Sequence, residues 1–250
     1  MTQCYDVIGD IHGCYDALLR LGRKLGYDDD FNHPAGRIPA FVGDLINRGP
    51  DSVSVVRLVS RLRHENRAVS VLGNHDEAML RYLQGQAVNL DDGGMRKTIA
   101  AFEALPDASD FMDDLRRLYE ATPLCVMLDD GKLMLVHAGI EDWILARYNL
   151  PEDAEKIGFD DPKIHHFILH GDAIGKSPEG KTLRRDWAAD YHGPAFVVYG
   201  HTPQTEAMVN NRTVNIDTGA YRGGMLTAVR WPEIEIVQVP SLFSNVPPAV

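Results

Sequence analysis

The sequence predicts an α/β protein in which two sheets face each other, helices cover both outer faces, and functional loops gather at one edge. Two patterns carry this expectation. The first third alternates short apolar strands with helical repeats, as in a largely parallel sheet flanked by helices. Residues 196–239 are instead strand-rich (FVVYG, RTVNID, LTAVRW, IEIVQV) and read as an antiparallel second sheet.

Each element follows from its local pattern. Residues 4–9 (CYDVIG) form an apolar strand, and residues 15–25 carry apolar side chains at helical spacing. Residues 38–43 give the second strand. Asp51 is placed to cap the helix DSVSVVRLVSRLRHEN, with Val53, Val56, Leu58, Val59 and Leu62 marking its buried side. Residues 68–73 (AVSVLG) form the third strand, and a helix over 76–83 follows. Residues 85–122 lack strands, contain Gly93-Gly94 and carry helical stretches such as FMDDLRRLYEA, which predicts a helical cap inserted between core elements. Residues 123–136 return to strands around an Asp129-Asp130-Gly131 turn, and residues 141–191 read as helix and loop. The tail SNVPPAV is expected to fray. With no repeats or low-complexity linkers, residues 1–250 are expected to form a single domain.

Composition narrows the function. A chain of 250 residues can bury a full core. A net charge of −11 argues against a surface that coats nucleic acid, which needs a basic face. It leaves room for a phosphorylated substrate whose charge is met locally by metal ions. No apolar run is long enough for a bilayer and no basic-then-apolar leader is present, so a cytoplasmic protein without a membrane partner is expected. Cys4, Cys14 and Cys125 are odd in number, widely spaced and contain no CxxC pair, which fits a reducing compartment and argues against a thiolate zinc site.

The ends of the strands carry the chemistry. VIGDIHG, FVGDLINRG, VLGNHD, LVHAG and VYGHT each continue an apolar strand into a glycine-flanked group able to bind metal. The groups collected are Asp10, His12, Asp44, Asn74, His75, His137 and His201. Ligands at the carboxyl ends of strands are the usual arrangement in open α/β sheets, and oxygen with imidazole donors suits Mn, Fe or Zn. Any one of these residues alone reads as a turn residue or a satisfied histidine. Five such strand ends together read as a metal site, with too many ligands for one tetrahedral ion and enough for two ions sharing a carboxylate.

GDIHG, GDLINRG, GNHD, HAG and GH together resemble the signature of the phosphoprotein-phosphatase branch of the calcineurin-like metallophosphoesterases, spread over residues 9–201. RRDWAADYHGPAFVVYGHTP and RTVNIDTGAYRGGMLTAVRWPEIE further resemble the bacterial PrpE-type group, described both as asymmetrical bis(5′-nucleosyl)-tetraphosphatases and as protein phosphatases. The resemblance implies a four-layer αββα sandwich of two mixed sheets. It implies two divalent ions, Mn foremost and Fe, Zn, Ni or Co as other candidates. Asp10 and His12 would hold the first ion, Asn74, His137 and His201 the second, with Asp44 bridging. A bridging hydroxide would attack phosphorus in line. His75 would protonate the leaving oxygen, while Arg48 and Asn74 would contact the phosphate. The substrate would be a dinucleoside polyphosphate such as diadenosine tetraphosphate. The rivals are a phosphoprotein substrate and, in another class, a metal-binding scaffold without catalysis, which the presence of Asn74 and His75 disfavours.

One departure bears on substrate. Protein phosphatases of this family usually carry Asp where this chain has Asn47, and that Asp favours the charged form of the histidine matching His75. Asn47 brings no charge, which pushes toward leaving groups that need less help from a proton, such as nucleotide phosphates. Arg184 and Arg185 resemble a segment bearing a second phosphate-binding arginine, and equally suit a surface ion-pairing role. Asp217, in NIDTGA, is read as an acceptor behind a metal-bound histidine or as a turn cap. HGDAIGKS fails as a phosphate loop on spacing. His165, His166 and His170 lie on a polar stretch far from the strand-end pattern and are expected as surface or cap residues rather than a third metal site, and Met79, Met95, Met112 and Met127 are expected to pack in core or cap.

Overall fold

The structure is a computed structural model that describes residues 3–243 apart from 179 and 181. The frayed tail predicted from SNVPPAV lies outside the described residues. The elements run β1 (Tyr5–Ile8), α1 (Tyr15–Leu25), β2 (Ile38–Phe41), α2 (Ser52–His64), β3 (Val69–Ser70), α3 (Asn74–Leu83), α4 (Met95–Glu103) and α5 (Ala108–Glu120). They continue with β4 (Cys125–Leu128), β5 (Leu133–Val136), α6 (Asp142–Leu145), α7 (Pro162–His170), β6 (Ala173–Lys176), β7 (Thr182–Arg184), β8 (Phe196–Tyr199), β9 (Met208–Asn210), β10 (Thr213–Asn215), β11 (Met225–Trp231) and β12 (Glu235–Pro240).

Two five-stranded mixed sheets, ordered β12-β11-β1-β2-β3 and β4-β5-β8-β10-β9, form the centre. The strands alternate between two apolar layers, as a two-residue period requires. Val7, Ala40, Leu133, Leu135, Val198, Val214 and Val229 fill the layer between the sheets. Ile8, Phe41, Met134 and Val136 point outward into the layer shared with the helices. Asp51 caps α2 by accepting a bond from Ser54 N, as expected. The buried face of α2 differs by one position: Val55 is buried and Val53 is only half-buried.

The expectation that residues 196–239 form an antiparallel second sheet is corrected by the pairing. β8 and β10 lie parallel to β5 in the second sheet, whereas β11 pairs antiparallel with β1, so β11 and β12 complete the first sheet. A strand's apolar alternation does not say which of two buried sheets it joins. A second difference is the β6–β7 hairpin, inside a stretch expected to be mostly helix and loop. Its side chains are mostly exposed, so it lacks the buried-strand signature. Within residues 85–122, α5 packs on α2 and α3, and the Tyr119 hydroxyl donates to Asp76 Oδ1 at 3.0 Å.

Parallel pairing positions the site. β1, β2 and β3 run parallel in one sheet, and β5, β8 and β10 in the other, so six carboxyl ends are available along one seam. The loops there approach closely enough to require missing side chains. A Cβ on Gly73 would lie 2.1 Å from Asp44 N, and one on Gly200 would lie 2.0 Å from Asp10 Oδ1. Gly73→Ala is therefore expected to destabilise the fold by about 3 kcal/mol. Gly85→Ala, at φ 75° with nothing within 4 Å, should cost about 1 kcal/mol, from backbone strain alone. Urea unfolding of the two variants checks this; equal losses would show that the close approach of these loops is not what Gly73 serves.

Candidate metal centre

Asp10 and His12 follow β1, Asp44 follows β2, Asn74 opens α3 just after β3, His137 follows β5 and His201 follows β8. Asp44 stands between the two sheets' contributions. Its Oδ2 lies 3.3 Å from His12 Nε2, and its Oδ1 lies 3.5 Å from His137 Nε2. Asp44 Oδ1 also accepts from His75 N at 2.9 Å.

The tautomers of two of the imidazoles are fixed from behind. His12 Nδ1 is 2.9 Å from Ile46 O, and His137 Nδ1 is 2.8 Å from Val42 O. A carbonyl can only accept, so each Nδ1 carries the ring proton and each Nε2 turns a lone pair toward Asp44. Asn74 Oδ1 lies 3.1 Å from His137 Nε2 and 2.9 Å from His201 Nδ1. Asp10 is buried and accepts from His201 N at 3.1 Å. His12, Asp44, Asn47, Arg48 and His201 all adopt positive φ, between 45° and 72°. Such backbone is costly for non-glycine residues, and clusters of it accompany functional sites.

The electrostatics ask for cations. Burial raises the Asp44 carboxyl to about 7. Burial, then the neighbouring Asp217 and Asp44, raise Asp10 well above the usual carboxylate range. Asp217, buried beside them, is raised to about 6, first by burial. One oxygen of Asp217 accepts from Gly219 N at 3.1 Å, which is the turn-cap role, while Oδ2 is buried without a partner. His12, His137 and His201 are all depressed by burial and stay neutral. Clustered carboxylates facing neutral imidazole lone pairs fit divalent ions of the oxygen- and nitrogen-preferring kind. Two groups of donors, His12–Asp44–His75 and Asp44–His137–His201, lie close enough to hold an ion each and share Asp44.

Next to these groups sit the residues expected to meet substrate. Arg48 Nη2 is 2.9 Å from His75 Nε2. An arginine only donates, so Nε2 accepts and Nδ1 carries the proton. The Asn47 side-chain amide lies 2.9 Å from that Nδ1, and we assign its oxygen to face it. Burial first, then Arg48, drive His75 down to about 3, so it is neutral. Arg48 keeps its buried Nε without a partner, and its guanidinium lies 4.5 Å over the Tyr221 ring. Arg184 Nη2 reaches His201 Nε2 at 2.9 Å. Arg185 points away, held by Asp172 at 2.6 Å, by Asp190 at 3.1 Å and by Glu141.

Three residues at the centre escaped the sequence reading. His170, expected as a surface or cap residue, has its ring 5.9 Å from that of His201, because the last turn of α7 packs against the loop after β5. Tyr221 touches both Arg48 and, edge-on at 4.8 Å, His12. Asp76 is buried and binds Leu45 N and Gly73 N, each at 3.1 Å, tying together the loops that carry Asp44 and Asn74. The aspartate of GNHD was the available signal for Asp76, since a carboxylate three residues into a helix commonly binds backbone at its start.

Comparison with known proteins agrees with this geometry. Residues 5–205 match the calcineurin-like phosphoesterase family. A protein of Geobacillus sp. (strain WCH70), named bis(5′-nucleosyl)-tetraphosphatase PrpE [asymmetrical], is 43% identical over 248 residues, covering 97% of this chain and 96% of its own. A protein of the same name from Anoxybacillus flavithermus is 44% identical over 248 residues, with the same coverage. A crystal structure of a candidate diadenosine tetraphosphatase superposes with a TM-score of 0.68 at 24% identity, over 98% of this chain and 96% of that one, which supports the fold. A match over most of the length, with relatives this similar end to end, settles the family: the chain is a metallophosphoesterase hydrolase that belongs to the calcineurin-like phosphoesterase family.

Proposed function

We propose that the protein hydrolyses dinucleoside polyphosphates such as diadenosine tetraphosphate, using two divalent ions, with Mn as the working metal. The observation that carries this is the carboxylate of Asp44 held between two imidazoles of fixed tautomer, one from each sheet. Asp10 and His12 would hold one ion, Asn74, His137 and His201 the other, and Asp44 both. When bound, such ions supply positive charge to phosphoryl oxygens and acidify water. The family uses divalent metals, and the close relatives' names supply the substrate class.

The chain's own groups do the rest. Arg48, with an unpartnered Nε, binds a phosphoryl oxygen, and Arg184 binds a second from the His201 side. An incoming phosphate draws Arg48 from His75 Nε2; with that cation gone, the nitrogen can take a proton from solvent and pass it to the leaving oxygen. Asn47 orients the ring without adding the charge that would favour imidazolium. The site therefore suits a leaving group that departs without full protonation, which describes a nucleotide phosphate better than a serine alkoxide. Asp217 backs the carboxylate cluster, and Arg185 serves the surface. Residues 85–122, as a helical insertion in a single domain, brace the Asn74 loop through Tyr119 and Asp76. Among the described residues no helix is long and apolar enough to cross a membrane.

Three outcomes test this. Chelation should abolish hydrolysis of nitrophenyl phosphate, and Mn should restore it. Secondly, His75→Ala should lower kcat about 100-fold with metal content near normal, and loss of metal would make His75 a ligand. Thirdly, the wild type should cleave diadenosine tetraphosphate far better than a phosphoserine peptide. Asn47→Asp should raise kcat for the peptide about tenfold and leave the tetraphosphate less affected. Equal gains on both would remove the leaving-group argument.

A further inference from the structure

We propose that the cavity beside Arg184 is a binding subsite for one nucleoside of the dinucleotide, which rests on the substrate class proposed above and adds where that substrate lies. The cavity measures about 260 Å³, and its wall includes Arg184, Trp187, Tyr199, Gln204, Met208 and Asn210. It is continuous with the metal centre through a single side chain, since Arg184 both lines it and bonds His201. A phosphate chain anchored at the centre and gripped by Arg184 reaches this wall within one side-chain length.

The chemistry of the wall fits a neutral heterocycle. Half-buried Tyr199 packs against Trp187, with ring centroids 4.7 Å apart, and gives the cavity an aromatic side. Met208 is 62% exposed on β9, an unusual place for a large apolar side chain unless it meets a flat partner. Gln204 and Asn210 supply amides able to pair with the edge of a base or with ribose hydroxyls. Arg185 also borders the cavity, yet Asp172, Asp190 and Glu141 already hold it, so beyond Arg184 the wall offers little pull on further phosphates.

A second cavity of about 390 Å³ opens on the His75 side, lined by Asn74, His75, Arg81, Asn89, Asp92 and Met95 among others, with no Tyr, Trp or Phe in its wall. The two cavities differ in character on the two flanks of one centre. The arm retained on the attacked phosphorus occupies the aromatic cavity, and the departing arm leaves past His75. A phosphoserine peptide would have no ring to place in the first of these.

The Mn-loaded enzyme tests the subsite by competition against nitrophenyl phosphate. Adenosine monophosphate should inhibit more strongly than inorganic phosphate, which shares the metal centre but carries no ring. In Met208→Glu the ratio of the two inhibition constants should fall about tenfold toward equality, and KM for diadenosine tetraphosphate should rise by a similar factor. Met208→Leu should keep the ratio. Because Met208 is exposed on an edge strand, neither change disturbs the core. An unchanged ratio in Met208→Glu, or equal inhibition by the two anions in the wild type, overturns the subsite while hydrolysis of the tetraphosphate leaves the proposed function standing. Hydrolysis of a phosphoserine peptide but not of the tetraphosphate overturns both.

Discussion

A buried carboxylate without a matching cation constrains everything else in this molecule. Asp44 is withdrawn from solvent at the seam between two sheets, and Asp10 and Asp217 are buried close by. In a low-dielectric interior such a cluster is stable only if protonated or opposed by positive charge. The surrounding histidines cannot oppose it, because they too are buried and neutral. The protein therefore keeps a hollow lined with carboxyls and imidazole nitrogens, suited to divalent cations. Much of the local structure follows: the glycines that let loops touch, the left-handed backbone at the ligand positions, and the carbonyls that hold imidazoles from behind.

The same hollow reconciles an acidic protein with an anionic substrate. The net charge of −11 would repel a polyphosphate at long range. Attraction has to be local, from ions in the hollow and from Arg48 and Arg184 at its rim. These two arginines rest on His75 and His201. Among the described residues, each is thereby held beside the centre without a carboxylate partner that a phosphate would have to displace.

The gathering of candidate ligands at one place was legible because it is written locally. Each strand ends in a glycine and a donor, and the backbone that turns the donor inward is encoded within three or four residues. What depended on distant pairing was not legible. β11 and β12 carry the same alternation whichever sheet they join, and only their partner, β1, decides. His170 comes to the centre because α7 docks against the loop after β5, which nothing in its neighbourhood states. Val53 and Val55 both lie near the edge of the apolar stripe of α2, and tertiary packing chooses between them. The β6–β7 hairpin is exposed, so the burial pattern by which strands are recognised is missing from it. Asp76 looked like part of a helix start, which it is, but two of its partners, Leu45 and Tyr119, come from another loop and another helix.

The late arrival of β11 beside β1 has a consequence for how the chain is made. β1 leaves the ribosome before every other strand described, yet one of its two edges is satisfied only by residues 225–231. Until those residues follow, that edge presents unpaired peptide groups on an apolar strand, the kind of surface that invites foreign strands or a chaperone. Asp10 and His12 sit at the end of the same strand, so the earliest of the proposed ligands to be synthesised are among the last to be locked in place. A nascent chain cut short before β11 would carry every proposed metal-binding group and still lack the neighbour that holds the first two.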